Sequence, residues 1–243
     1  MIGNTKIWAH RGASGYAPEN TLEAFELASQ QGADGLELDV HISRDGHLIV
    51  MHDERVDRTT DGIGQIQNMT LKELKKLNAG TKEQSMEIPT LEEVYSWARH
   101  NALEINVEIK SDSIAYDNIE SLCLEAAARY GVESRIWYSS FNHDSLYTIK
   151  RLNSAARTGI LYGQRLFRPW EYAKILGADA IHPHFASVAA GDCVSECRGA
   201  GICVHPWTVN DEADILQMLA QGVEAVITNY PAKAIQIREA RQG

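Results

Sequence analysis

The hydrophobic positions of the chain fall into short apolar runs, mostly separated by longer stretches with the spacing of amphipathic helices. Short apolar runs are typical of buried strands, and their alternation with helical stretches predicts a parallel sheet. The predicted strands cover residues 6–9, 35–42, 105–109, 136–139, 158–161, 180–182, 202–208 and 225–228.

Helix ends and starts are marked by characteristic residues. Glycine tolerates the left-handed conformation that closes a helix, and Gly32, Gly177 and Gly222 each precede an apolar run. Helix starts are predicted where a capping side chain stands three residues before a glutamate. The three pairs are Asn20 with Glu23, Thr70 with Glu73, and Thr90 with Glu93.

The number of strand and helix units predicts the fold. About eight βα units favour closure into a (β/α)8 TIM barrel, an α/β fold, over an open doubly wound sheet. Barrels of this length are commonly one domain, so we expect residues 1–243 to form a single domain. Residues 54–88 interrupt the alternation of strands and helices, since they contain turns and one short helix near residues 71–77. We interpret them as an insertion over the barrel mouth, at the C-terminal face.

Charge and hydropathy limit the possible partners. The formal net charge of −10 opposes binding to a phosphate backbone, so we expect neither nucleic acid nor an anionic membrane as a partner. A small anionic substrate stays possible if Arg11, Lys110 or a metal ion supplies local positive charge. The N-terminal segment "MIGNTKIWAHRG" lacks a signal-peptide core, and no run approaches the ~18 apolar residues of a membrane span. We therefore expect a cytoplasmic protein.

The cysteines indicate neither a disulfide framework nor a zinc site. Cys123, Cys193, Cys197 and Cys203 include no C-x-x-C pair, and with His205 they form no recognised zinc spacing. We expect buried thiols.

Paired carboxylates stand on one face of the strand at residues 35–42. In "GLELDVHIS" the side chains of Glu37, Asp39 and His41 share a face. A half-exposed antiparallel strand would show the same alternation. In a parallel strand covered on both faces, however, Glu37 and Asp39 would lie inside the barrel and repel each other unless a cation or a shared proton intervened.

A second strand repeats this arrangement. In "EINVEIK" the inward side chains are Asn106, Glu108 and Lys110, which could also be a simple Glu–Lys ion pair. Together, two strands send three carboxylates toward the C-terminal face, where barrel enzymes keep their sites. Oxygen ligands suit a hard cation, so the sequence predicts one divalent ion, Mg²⁺ or Ca²⁺, held by Glu37, Asp39 and Glu108.

Two histidines complete the candidate chemistry. His10 ends the first predicted strand, and His52 follows the apolar run "LIVM". Either one alone could be structural. Beside the carboxylates, Arg11 and Lys110, they supply groups that titrate near neutrality for metal-assisted attack at phosphorus.

The chain resembles the glycerophosphodiester phosphodiesterases, and most of all their small bacterial members. The resemblance is very specific because ordered motifs spread over almost the whole chain. They are "AHRGASGYAPENTLEAF" from residue 9, "GADGLELDVHISRDGHLIVMHD" from 32, "RTTDGIG" from 58, "IPTLEEV" from 88, "NVEIK" from 106, "SSF" from 139 and "WTVN" from 207.

The resemblance implies a barrel with one divalent cation that hydrolyses glycerophosphodiesters, such as glycerophosphocholine or glycerophosphoethanolamine, to glycerol 3-phosphate and an alcohol. Several residues of the chain match the family's functional positions. They are Glu37, Asp39 and Glu108 as metal ligands, His10 and His52 as the acid/base pair, and Arg11 and Lys110 as the phosphate-side cations. By analogy with metal-dependent barrel phospholipases, His10 is assigned as the base and His52 as the acid. The family's usual Thr-Asp is Thr228-Asn229 here.

Other residues have weaker assignments. Trp207 is predicted to form an apolar wall for the substrate, with core packing as the alternative. Glu19 is expected either to brace Arg11 or to favour a helix start. Asn20 is taken as a helix cap, with a role in the site as the alternative. His182 and His184 are taken as structural.

Two rival functions are distinguishable from the sequence. A phospholipase C-like or D-like enzyme acting on intact lipids would need a membrane-binding segment, and none is evident. A non-catalytic barrel that binds glycerophosphodiesters would not need two histidines. The alcohol headgroup, the choice of metal, the nucleophile (water or the glycerol 2-hydroxyl) and the oligomeric state stay open.

Overall fold

A ring of parallel strands surrounded by helices organises the chain. The computed structural model describes residues 5–241. The strands are β1 (Lys6–His10), β2 (Gly35–Ile42), β3 (Leu48–Val50), β4 (Glu104–Ile109), β5 (Ile136–Ser140), β6 (Arg157–Tyr162), β7 (Ala180–Pro183), β8 (Cys203–Val204) and β9 (Ala225–Thr228). The helices are α1 (Leu22–Gln30), α2 (Leu71–Leu74), α3 (Leu91–Ala98), α4 (Ile119–Tyr130), α5 (His143–Leu152), α6 (Pro169–Leu176), α7 (Cys193–Gly199), α8 (Glu212–Gln221) and α9 (Pro231–Ala240).

The strand order shows a nearly closed barrel. Hydrogen-bonded neighbours follow the order β8-β7-β6-β5-β4-β2-β1-β9, and all these pairs are parallel. Between β8 and β9, the amide of Glu224 donates to the carbonyl of Val204 (3.2 Å), and the amide of Ile227 donates to that of Pro206 (3.0 Å). The predicted (β/α)8 barrel is therefore confirmed.

One predicted strand is much shorter than expected. The sequence predicts a strand over residues 202–208, but β8 contains only Cys203 and Val204. Pro206 interrupts the ladder because it has no N–H to donate. The chain still runs beside β7, where the amides of His205 and Trp207 each donate at 3.0 Å to β7 carbonyls.

The segment at residues 54–88 has an apolar cluster of its own. It is entered from β3, a short strand that pairs antiparallel with β2 and was not predicted, because "LIV" is too short to identify as a strand. The helix expected near residues 71–77 is α2, which ends at Leu74 and begins with a capping box at Thr70. The cluster consists of Ile49, Met51, Val56, Ile66, Leu74, Ala79 and Ile88.

Helix termini agree with the sequence at most of the marked positions. Gly177 and Gly222 close α6 and α8 in the left-handed conformation, with φ of 69° and 72°. Thr90 forms the predicted capping box. The cap assigned to Asn20 is wrong, because Thr21 caps α1 and its side chain accepts from the amide of Ala24.

The single-domain interpretation of residues 1–243 stays a prediction, and residues 1–4 and 242–243 lie outside the described range. Within residues 5–241, no helix is both long and apolar enough to cross a bilayer. All four cysteines are free thiols: Cys123 and Cys197 are buried as expected, whereas Cys193 and Cys203 are only partly buried.

Aromatic rings fill the middle of the barrel beneath its mouth. Trp8 lies 6.0 Å from Trp137 and 4.6 Å from His205 between ring centroids. His205 Nδ1 lies 2.9 Å from Nε2 of His182, and burial lowers the pKa of His182 to about 3. These packed rings separate the polar side chains at the barrel mouth from those at the opposite end of the barrel.

Gly159 on β6 provides the space for this buried histidine pair. A Cβ at residue 159 would overlap Nε2 of His182. We expect Gly159→Ala to lower the free energy of unfolding by about 1–3 kcal/mol, because a close-packed interior accommodates an added methyl group poorly. Urea unfolding would measure the loss.

The control is Gly199→Ala at the end of α7, where an added Cβ meets no atom within 4 Å. This variant should unfold at the wild-type urea concentration or slightly above it. Equal midpoints for the two variants would contradict the packing argument.

Candidate active site

Three buried carboxylates converge at the mouth of the barrel. β2 and β4 are paired in register with Asp39 opposite Glu108, and Glu37 lies two residues before Asp39 on the same face. One carboxylate oxygen from each residue lies within 4.8 Å of the others. The alternating apolar residues of β2, Leu36 and Leu38, pack instead in the core between the barrel and its helices.

The carboxylates strongly perturb one another. Burial, then Asp39 and Glu108, raise the pKa of Glu37 well above its ordinary value. Burial and Asp39 raise that of Glu108 to about 7. Against the effect of burial, Arg11 and then Lys110 hold the pKa of Asp39 below its ordinary value. Three negative charges at this spacing therefore need a compensating cation or proton.

The free oxygens fit a divalent cation. Oε1 of Glu37 and Oδ1 of Asp39 are buried without a hydrogen-bond partner within the described residues. An unpartnered buried carboxylate oxygen is costly unless something binds it. The donor set consists of oxygens, which hard ions such as Mg²⁺ and Ca²⁺ prefer.

Asn20 holds one of these carboxylates in place. Its Nδ2 donates to Oδ2 of Asp39 at 2.9 Å. Asn20 has a φ of 57°, a left-handed conformation that asparagine tolerates better than most residues. The residue taken as a helix cap thus belongs to the carboxylate cluster.

Two cations flank the cluster. The backbone N–H of Arg11 donates to Oε2 of Glu37 at 2.9 Å, and its Nε lies 3.5 Å from Oδ2 of Asp39. Lys110 Nζ donates to Oε1 of Glu108 at 2.8 Å. Against the effect of burial, Glu108 and then Asp39 raise the pKa of Lys110, so that it stays charged.

His10 contacts a neutral amide. Its Nδ1 lies 2.7 Å from Oδ1 of Asn229, and its Nε2 lies 3.9 Å from Oε2 of Glu37. Because an amide oxygen only accepts, Nδ1 carries the proton and Nε2 the lone pair. Burial and then Arg11 lower the pKa of His10 to about 4, so the imidazole is neutral at pH 7.

His52 contacts a carboxylate instead. Its Nδ1 lies 2.6 Å from Oδ1 of Asp53, and its Nε2 has no hydrogen-bond partner within the described residues. Its backbone carbonyl lies 3.1 Å from Nε2 of His41. Arg58, through its hydrogen bonds, keeps the pKa of Asp53 below its ordinary range, so that Asp53 is charged beside His52.

Glu19 braces Arg11, which was one of the two expectations for it. Arg11 Nη1 donates to Oε1 of Glu19 at 2.9 Å. Glu19 also accepts two hydrogen bonds from Arg58, at 2.9 and 2.8 Å.

Trp207 lies away from the carboxylates. β8, which leads to Trp207, is four strands from β4 in the ring. The indole N–H donates to the carbonyl of His182 at 2.8 Å. The ring meets Phe141 and His184 edge to face, with centroids 5.7 and 5.6 Å away.

The contacts of three residues were not predicted from the sequence. Asp53 contacts His52, and Asn229 contacts His10. Arg58 contacts both Asp53 and Glu19. Asp53 directly follows His52, and Arg58 opens the motif "RTTDGIG", so both stood beside residues already singled out. The contact between Asn229 and His10 joins positions 219 residues apart, and no local pattern reveals such a pair.

Comparisons with known proteins agree over the length of the chain. A model of the glycerophosphoryl diester phosphodiesterase family matches residues 10–233. The glycerophosphodiester phosphodiesterase of Caldanaerobacter subterraneus subsp. tengcongensis is 40% identical over 237 residues, covering 96% of this chain and 97% of that protein. The one from Bacillus altitudinis is 36% identical and covers 97% of this chain and 98% of that protein.

Solved structures show the same architecture. A phosphodiesterase of Oleispira antarctica, in complex with the product sn-glycerol-3-phosphate, matches with a TM-score of 0.85 and 32% identity over 96% of each chain. A putative glycerophosphoryl diester phosphodiesterase from Silicibacter pomeroyi has a TM-score of 0.90 and 26% identity, over 98% of this chain and 94% of that one. The chain therefore belongs to the glycerophosphoryl diester phosphodiesterase family and is a phosphodiesterase built on a (β/α)8 barrel.

Proposed function

We propose that the chain hydrolyses glycerophosphodiesters, such as glycerophosphocholine or glycerophosphoethanolamine, to sn-glycerol 3-phosphate and an alcohol, using a divalent cation and two histidines. The observation that carries the proposal is the pairing of His10 with an amide and His52 with a carboxylate, in one barrel with a carboxylate cluster. The glycerol 3-phosphate in the Oleispira antarctica phosphodiesterase supports the same product here.

Glu37, Asp39 and Glu108 would hold one divalent cation, Mg²⁺ or Ca²⁺. When bound, the ion supplies Lewis-acid polarisation of a phosphoryl oxygen. Arg11 and Lys110 bind the phosphate from either side of the cluster, and they are the cations nearest to it in the described residues. Their charges oppose the negative charge that develops on the phosphoryl oxygens.

The two histidines move protons in opposite directions. His10 accepts a proton at Nε2 from the nucleophile, because Asn229 holds its other nitrogen as N–H. His52 gives a proton to the departing alcohol, because its Nδ1 is held by Asp53 and Nε2 is therefore the nitrogen that carries the transferred proton. The nucleophile is water or the glycerol 2-hydroxyl, and the same two roles serve either one.

Trp207 and Phe141 form an apolar wall at the barrel mouth for the carbon atoms of the substrate. The rival functions have less support. The relatives and the product-bound structure carry phosphodiesterase names, and two imidazoles held by different partners exceed what a binding barrel needs. A cytoplasmic location and a single domain belong to the same proposal.

The central experiment measures release of glycerol 3-phosphate from a panel of headgroups, with and without EDTA. We expect EDTA to abolish release and added Mg²⁺ or Ca²⁺ to restore it. Glu37→Gln should lose about 100-fold or more in kcat/KM, and added metal should restore little of it, because a ligand charge is gone.

Glu104→Gln is the matched control. Glu104 begins the same strand as Glu108, on the same face, but pairs with Lys6 and Arg157 at the opposite end of the barrel. It should keep wild-type kcat/KM. Full turnover of the wild type in EDTA would overturn the proposed metal dependence.

Lys110 is expected to bind the phosphate in the transition state. Lys110→Met keeps the stem but removes the charge, and should cost about 2–4 kcal/mol of transition-state stabilisation. Measuring kcat/KM at several metal concentrations separates this loss from a weakened cation site.

A second, partly buried lysine provides the control. Lys150 on α5 pairs with Asp179 at 2.7 Å. Lys150→Met should leave kcat/KM unchanged. An unchanged kcat/KM for a folded Lys110→Met protein would mean that Lys110 is only the ion-pair partner of Glu108.

A change of leaving group distinguishes the acid role of one histidine from the base role of the other. Choline is a poor leaving group as an alkoxide, so His52→Ala should lose about 10²–10⁴ in rate on glycerophosphocholine. The leaving group of a nitrophenyl ester is a stable phenolate that barely needs the proton. On that ester, His52→Ala should therefore recover much of the wild-type rate. His10→Ala should fail on both substrates.

The opposite pattern would exchange the two roles. Equal losses on both substrates in both variants would show that the histidines orient the phosphate or the metal instead. His100→Ala, an exposed histidine after α3, is the control and should behave as wild type.

A further inference from the structure

Arg58 connects two charged groups of the barrel mouth from outside the barrel. It lies in the segment at residues 54–88, and its guanidinium contacts two carboxylates at once. Nε and Nη2 donate to Asp53 at 2.7 and 3.0 Å. Nη1 and Nη2 donate to Glu19 at 2.9 and 2.8 Å.

Besides Arg58, each of these carboxylates contacts one residue of the proposed active site. Oδ1 of Asp53 lies 2.6 Å from Nδ1 of His52. Oε1 of Glu19 accepts a hydrogen bond from Arg11 at 2.9 Å. The guanidinium of Arg58 is therefore connected to His52 through one carboxylate and to Arg11 through the other.

We propose that Arg58 is a positioning residue that orients His52 through Asp53 and Arg11 through Glu19. The inference rests on the proposed function of His52 and Arg11. It assigns a role to a residue of the inserted segment that neither touches the substrate site nor contributes to the carboxylate cluster.

Asp53 depends on Arg58 for its position. Within residues 5–241, the side chain of Asp53 has hydrogen bonds with His52 and Arg58 alone, and 29% of it is exposed. Without the guanidinium, the contact with His52 is the one hydrogen bond of this side chain that remains within residues 5–241, and it leaves the carboxylate able to rotate into solvent. Nδ1 of His52 would then lose its acceptor, and the ring would lose both its orientation and its fixed tautomer.

Only arginine can make this connection. Its planar guanidinium presents five N–H donors in a fixed geometry, which allows paired hydrogen bonds to two carboxylates. A lysine at the same position would supply the charge as a single point and could not hold both carboxylates in fixed orientations.

The contribution of Arg58 to stability should be small. Its side chain is 47% exposed, and ion pairs at such exposure contribute little to the free energy of unfolding. A purely structural role would therefore leave both unfolding and catalysis nearly unchanged. A positioning role would change catalysis far more than unfolding.

The experiment uses Arg58→Met, which keeps the stem, and Arg58→Lys, which keeps the charge. We expect Arg58→Met to lower kcat on glycerophosphocholine by about 10- to 100-fold, as misplacing a catalytic group does. The loss on the nitrophenyl ester should be several-fold smaller, because that substrate barely needs the acid. Arg58→Lys should recover less than half of the lost activity on a logarithmic scale.

Arg55→Met is the matched control. Arg55 lies in the same segment and is 49% exposed, and it makes the same kind of paired contact, to Asp57 at 2.6 and 3.3 Å. Neither residue contacts the proposed site, so this variant should keep the wild-type kcat on both substrates.

A double variant tests the path through Asp53. If Arg58 acts through Asp53, the losses of Arg58→Met and Asp53→Asn should overlap, and the double variant should lose much less than their product. Fully multiplicative losses would overturn the inference, as would wild-type kinetics of a folded Arg58→Met protein.

A spectroscopic measurement is independent of turnover. In ¹⁵N-histidine spectra, with His52 assigned from His52→Ala, Arg58→Met should shift the His52 nitrogen signals and Arg55→Met should not. Unmoved His52 signals would overturn the inference whatever the assay gives. An inactive wild type with the expected shift would contradict the proposed function and leave Arg58 as the group that orients His52.

Discussion

The mutual repulsion of three buried carboxylates is the constraint on which the rest of the barrel mouth depends. The register of β2 against β4 places Asp39 opposite Glu108, and strand parity adds Glu37 on the same face. Ion pairs, an amide donor and a backbone N–H counter their charges, yet two buried oxygens have no hydrogen-bond partner within residues 5–241. Mutual compensation by protein groups is therefore incomplete, and a divalent cation or a shared proton would complete it.

The two histidines beside this cluster have different surroundings. His10 is largely enclosed beside Arg11, where a second positive charge is unfavourable, and its partner Asn229 is neutral. His52 is more exposed and is paired with the charged Asp53. A neutral amide at residue 229, where the family usually has aspartate, thus increases the difference between the two imidazoles. The proposed assignment of His10 as the base and His52 as the acid rests on that difference.

The strands and the carboxylates were predictable because they depend on local periodicity. Alternation in "GLELDVHIS" and "EINVEIK" places Glu37, Asp39 and Glu108 on inward faces, and parallel strands bring these faces to one end of the barrel. The errors fall where local pattern and tertiary contact disagree. Asn20 has the spacing of a helix cap, but the residue that caps α1 is Thr21, one position later. The side-chain amide of Asn20 instead donates to the carboxylate of Asp39.

Contacts between loops could not be predicted, for a physical reason. A strand constrains its side chains to two faces, whereas a loop side chain such as Arg58 can point in many directions, and sequence spacing does not decide among them. Arg58 donates to Glu19, which lies 39 residues earlier in the chain. The segment that carries Arg58 packs in a separate apolar cluster. That cluster fixes the backbone from which the guanidinium reaches the barrel mouth. The barrel therefore sets the positions of the buried carboxylates, while the packing of residues 54–88 positions Arg58, through which we propose that His52 is oriented.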